Sequence, residues 1–159
     1  MSLWLSSPTF LSIIPAGTSI ELSQEVYYYM LMQVPFGKLT QRKDIEEYLA
    51  KKFNVQHIYK FNRAPMNMRN LNDINQKYII RIIDTVPIHR EVSSGGYLEH
   101  EDSQIQKLLA EGHEIITKGP HKKSAVKDFK MLLFDFNKET DIDIDTLRRI
   151  DQEGLSNYL

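Results

Sequence analysis

Val86-Pro87-Ile88-His89-Arg90, followed closely by Gly95-Gly96-Tyr97, is the stretch on which the reading of this 159-residue chain turns. Ser93-Ser94-Gly95-Gly96 reads as a flexible loop. Upstream, Asn72-Asp73 caps a helix running through Tyr78, Ile79, Ile82 and Ile83, although the density of β-branched residues there suits a strand equally. Downstream, Asp102-Ser103 opens a helix carrying Ile105, Leu108 and Leu109 and ending near Gly112. The residue between Pro87 and His89 is an isoleucine, and the chain has no cysteine. That excludes disulfides, thiolate metal sites and thiol chemistry, and it fits a cytoplasmic protein.

Towards the N-terminus, the first twenty residues read as extended or irregular, with Pro8, Pro15 and Gly17 as punctuation. Ser23 is an N-cap followed by an acidic first turn at Glu25. Val26, Tyr29, Met30 and Val34 keep helical spacing until Pro35. Consecutive Tyr27, Tyr28 and Tyr29 point in different directions on a helix, so one or two of the rings belong to the core. Thr40 is expected to cap the next helix, in which Ile45, Leu49 and Phe53 form an apolar stripe. Two short helices joined by a tight Pro/Gly turn predict a helix-turn-helix core. Residues 54–71 are less legible: aromatic, basic and Asn-rich. In the tail, Asp141 to Asp145 alternates like a short strand, and Thr146–Gln152 reads as a terminal helix. The fold class expected is mainly α with a small β component.

Hydrophobic residues at 42 % and charged residues at 26 % are ordinary for one globular domain. No apolar run reaches membrane-spanning length, so no membrane partner is expected. The five histidines show no metal-ligand spacing, and neither metal nor cofactor is expected. Net charge is −1, but unevenly spread: residues 37–90 hold 11 Lys/Arg against 5 Asp/Glu, and the remainder 9 against 16. A basic middle in an acidic frame suits either a phosphate-contacting face or a solvated mixed surface.

Three blocks, in order, resemble the DNA-binding domain of the O6-alkylguanine-DNA alkyltransferases (methylated-DNA–protein-cysteine methyltransferases). They are Val34-Pro35-Phe36-Gly37-Lys38-Leu39-Thr40 with Asp44-Ile45; Val86-Pro87-Ile88-His89-Arg90 with Gly95-Gly96-Tyr97; and Leu108-Leu109-Ala110-Glu111-Gly112-His113. The resemblance spans residues 22–113 and implies a winged-helix-like domain, with 1–21 as an N-terminal extension and 114–159 as a C-terminal one. In that family the residue at 88 is the cysteine that takes the alkyl group from guanine. Ile88 cannot form the thioether, so the implied protein is not an enzyme, and it is similar to the cysteine-less alkyltransferase-like proteins. These bind double-stranded DNA, flip O6-alkylguanine out of the helix and hand the lesion to excision-repair proteins.

The resemblance also implies roles. Ile88 would line the base pocket, with Pro87 beside it. His89 and Glu111 would persist as a relic of the relay that once activated the thiol, now without catalytic work. Arg90 either braces the turn or touches phosphate. Gly95 and Gly96 would let backbone approach the base, with Tyr97 as a wall or stacking partner, against the plainer view of a Gly-Gly turn. Thr40 would cap a helix and donate to phosphate. The family's base-rotating tyrosine falls on Arg42, and Arg63 or Arg69 would supply the intercalating arginine. Three rival readings stay open: a general DNA-binding or regulatory module that has lost lesion recognition, a protein-interaction adaptor using Met66, Met68 and the acidic tail, and an enzyme whose cysteine has been replaced.

Overall fold

Residues 18–63, 72–99 and 101–159 are described by the structure, a computed structural model. Strand β1 (Ser19–Ser23) runs into helix α1 (Gln24–Gln33), followed by α2 (Arg42–Lys52), β2 (His57–Arg63) and α3 (Asn72–Thr85). A one-turn 3-10 helix, Ile88–Arg90, lies between α3 and α4 (Glu101–Ala110). The remainder comprises the hairpin β3 (Ile115–Lys118) and β4 (Lys123–Val126), a 3-10 turn at Phe129–Leu132, α5 (Phe136–Glu139), α6 (Ile144–Glu153) and a last 3-10 turn at Ser156–Tyr158. The class is mixed and mainly helical, with two small sheets among the described residues. No helix among the described residues is long and apolar enough to cross a membrane.

β1 and β2 pair in parallel, which demands a crossover, and α1 and α2 supply it. The register slips between Ile20 and Glu21 and again before Ser23. Ser23 precedes α1 as expected, but its hydroxyl makes no capping bond; its amide instead donates to Asp151 Oδ1 of α6 at 2.7 Å. Of the three tyrosines, Tyr27 is buried and the other two are half-buried. α3 is a helix rather than a strand. Tyr78 and Ile82, one turn apart, are buried, while Ile79, Ile80 and Ile83 remain exposed, an orientation only the helical period gives.

Two local expectations are overturned. Thr40 does not cap α2: the N-cap is Gln41. Thr40 is drawn into a β-bridge with Glu91, its amide donating to Arg90 O at 2.9 Å and its carbonyl accepting from Val92 at 2.9 Å. The α1–α2 connection is correspondingly longer than a tight turn, because Leu39 also bridges Leu133. Asp141 to Asp145 is no strand either. Asp143 caps α6, its carboxylate accepting the Asp145 amide at 3.2 Å, and a helix begins where the alternation suggested extension.

The main core gathers Leu22, Val26, Met30, Leu31, Ile45, Leu49 and Phe53, and it is completed from the tail by Phe136, Ile142, Leu147, Ile150 and Leu155. Tyrosine hydroxyls fasten that tail: Tyr48 accepts the Ile142 amide at 3.1 Å and Tyr78 the Leu155 amide at 2.9 Å. A second cluster of Leu39, Val92, Leu108, Val126 and Phe129 lies under the hairpin. Residues beyond 113 therefore bury apolar side chains in both clusters. Each fully buried leucine or isoleucine among them is worth about 2–3 kcal/mol of transfer free energy.

Candidate functional site

The 3-10 turn places Ile88 and His89 on a cleft of about 570 Å³, within the range of small-molecule sites. α1 contributes Tyr27 and Tyr28, α2 contributes Arg42, α3 contributes Ile83, and α4 contributes Ser103, Gln104 and Lys107. Ile88 is half-buried, with one side against the main core and the other forming cleft wall. The Arg42 guanidinium lies over the rings of Tyr27 and Phe61, 5.0 and 5.4 Å from their centroids. Arg42 thus forms part of an aromatic wall and does more than cover the helix surface.

Behind Ile88 a polar frame fixes the turn. His89 Nε2 donates to Glu111 Oε2. Arg90 Nε donates to the same carboxylate at 3.0 and 3.1 Å, and its Nη1 donates to Val34 O at 2.7 Å. The Gly37 amide completes the set, donating to Glu111 Oε1 at 2.8 Å. Burial pushes the Glu111 carboxyl upwards, but the Gly37 amide, His89 and Arg90 outweigh it and hold it below the usual carboxylate value. Gln104, buried on α4, donates to His89 O at 2.9 Å and Glu91 O at 2.7 Å, locking both ends of the turn. Position 88 offers the network an isoleucine and no thiol.

Several expected site residues lie elsewhere. Arg90 braces the turn: its guanidinium is largely buried, with Nε held by Glu111 and Nη1 by Val34 O. Thr40 is fully buried and does not reach a phosphate. Gly96 is needed by the interior: a Cβ there would come within 2.4 Å of the Phe129 ring. Gly95, Gly96 and Tyr97 do not line the Ile88 cleft. Tyr97 lines a second cleft, also of about 570 Å³, with Lys118 and Lys123. Pro87 leads into the turn and is not among the lining residues. The side chains of Arg63 and Arg69, and Met66 and Met68, lie outside the described residues.

Glu91 and Glu99 were not anticipated as site residues, yet both line the Ile88 cleft. Burial, aided by Glu99, pushes the Glu91 carboxyl up to about 7, and its Oε1 has no hydrogen-bond partner among the described residues. The cleft is therefore of mixed charge, Arg42 and Lys107 facing two carboxylates. Part of the basic middle is already engaged within the chain. Lys52 pairs with Asp141 at 3.0 Å, Lys60 with Glu21 at 3.7 Å, and Arg81 donates to Leu159 O at 2.6 Å. Among the described residues no cluster of His, Asp or Glu could hold a metal ion.

Comparison of the chain with protein-family models, with curated proteins and with solved structures yields no match in any of the three.

Proposed function

We propose that this chain is a DNA-binding protein of winged-helix-like fold that recognises O6-alkylguanine by base flipping and leaves the alkyl group in place. One observation carries the reading. Ile88, where the resemblance puts the acceptor thiol, lines a cleft large enough for a base, while His89 and Glu111 remain joined behind it. An isoleucine wall can pack against an O6-alkyl group where a thiol would attack it. Half-buried Tyr28 and the Arg42 guanidinium, stacked over the buried Tyr27 ring, offer faces against which an unstacked purine can lie. Excision-repair proteins are the partners the reading implies.

A second reading, a general DNA-binding module without lesion preference, draws on two other observations. Arg42 stands where the resemblance calls for a tyrosine, and Glu91 and Glu99 make the cleft less hospitable to a nucleotide. Titration of labelled duplexes with and without one O6-methylguanine, at two salt concentrations, separates the readings. Tighter binding of the lesion duplex is the expected result. Equal, salt-sensitive binding of both favours the general module. Binding of neither ends both readings. Alkyl transfer by an Ile88→Cys variant would show in addition that the pocket geometry is retained.

A further inference from the structure

The hairpin of β3 and β4 follows the segment that carries the resemblance, and its charge differs from that of the chain around it. Residues 115–127 include Lys118, Lys122, Lys123 and Lys127 and no Asp or Glu, in a chain of net charge −1. Lys127 is paired with Glu114 at 3.5 Å. Lys118, Lys122 and Lys123 form no ion pair among the described residues, and the last two are exposed.

The hairpin is also held rigidly beside the candidate site. Leu98 donates to Ser124 O at 3.1 Å, Val126 donates to Gly96 O at 3.0 Å, and Tyr97 bridges Ala125. The turn packs so closely that a Cβ on Gly119 would meet the Tyr97 hydroxyl at 2.9 Å. Within this frame the Lys118 ammonium stands over the rings of Tyr97 and Phe129, 5.2 and 5.1 Å from their centroids. Two aromatic faces restrict a side chain that is otherwise rich in rotamers, so less freedom is lost when an anion binds. Lys118 and Lys123 line the second cleft, and Glu99 lines both clefts, so the two adjoin.

We infer that the β3–β4 hairpin is a phosphate clamp: Lys118, Lys122 and Lys123 grip the sugar–phosphate backbone of the nucleic-acid strand whose base enters the Ile88 cleft. This rests on the proposed DNA-binding function but assigns a contact outside the base pocket. Such a contact adds affinity without reading sequence or lesion. An acidic protein surface would meet the same charges, and the test separates the two.

The measurement is anisotropy of labelled duplexes, with and without O6-methylguanine, across a salt series for the full chain. The Lys118→Gln/Lys123→Gln variant is compared with Lys138→Gln/Arg149→Gln, which removes equal charge from exposed sites elsewhere. A Lys122→Gln/Lys123→Gln variant leaves the Lys118 stacking intact, as a guard against local unfolding. Both hairpin variants should weaken binding of the two duplexes by the same factor, about ten-fold, and lower the salt slope by about 1–2, near 0.9 per lost phosphate contact. The control should keep the wild-type slope. An unchanged slope in the hairpin variants, or an equal loss in the control, overturns the clamp. So does lysine-dependent binding of polyglutamate with none of either duplex. If the wild type binds both duplexes alike while the hairpin variants still lose slope, lesion recognition fails and the clamp stands.

Discussion

The Gly37 amide donates to Glu111 across 74 positions of sequence, at 2.8 Å. It joins the turn after α1 to the end of α4, and the same carboxylate holds His89 and Arg90. Four donor–acceptor contacts converge on one nearly buried anion. Their removal strands donors in a site with little water, which costs more than the bonds contribute singly.

Glu111→Ala is therefore expected to lower the unfolding free energy by about 3–5 kcal/mol, the range for deleting one partner of a buried ion pair. Glu111→Gln keeps the shape and loses the charge, and should cost less. Urea unfolding measures both. A loss below about 1 kcal/mol for the alanine variant would contradict the bracing role.

Glu91 gives the pH dependence a definite sign. Its carboxyl titrates near 7 in the folded chain against an ordinary value of 4.5, so the folded state holds this proton more tightly than the unfolded state does. The contribution is fully present below the ordinary value and is lost as pH rises through the folded one. Glu91→Gln should thus raise stability at about pH 8 by about 1–3 kcal/mol and leave it nearly unchanged at about pH 4. Thermal melts of both proteins at the two pH values provide the check, and an equal shift at both would refute the assignment.

Gly96 combines a φ of +80° with the Phe129 ring where a Cβ would sit. Gly96→Ala should cost about 2–4 kcal/mol through backbone strain and overpacking. Phe129→Leu in the same chain should recover part of the overpacking share. Strict additivity in the double-mutant cycle would mean that the two positions do not touch.

Asp143 caps α6 through an exposed side chain, so its loss acts locally. Asp143→Ala should lower stability by about 1 kcal/mol, and Asp143→Ser should restore most of it. Chemical denaturation that found no difference between the two variants would count against the cap.

The helices around the site were legible where end signals and period agreed. Ser23 and Pro35 bracket α1, and the spacing of Ile45 and Leu49 marks α2. β2 was not, because the slipped register with β1 breaks the alternation that a strand would otherwise show. The hairpin was missed too: its turn, Gly119-Pro120-His121-Lys122, lacks the two-residue Asn-Gly or Asp-Gly signature. Thr40 and Asp143 show the limit of capping rules. Each has the chemistry of a cap, but at Thr40 a distant strand segment claimed the backbone first, while at Asp143 the cap prevailed over an alternating pattern. In the site, His89 and Glu111 were anticipated together through the resemblance. Glu91, Glu99 and Gln104 carried no signal: buried Gln104, half-buried Glu91 and exposed Glu99 are brought to the cleft by tertiary packing, and their sequence neighbours do not mark them.

The strap from Leu132 to Phe134 clasps Leu39 through backbone bonds on both sides, at 2.9 and 2.8 Å. The same two-residue segment, Leu39-Thr40, therefore pairs with Leu133 on one side and with Glu91 on the other, so the strap from the tail and the turn that carries Ile88 share one anchor. Because positions 39 and 133 are far apart in sequence, closing this bridge carries a large loop-closure cost, and it belongs with the late, non-local contacts of folding.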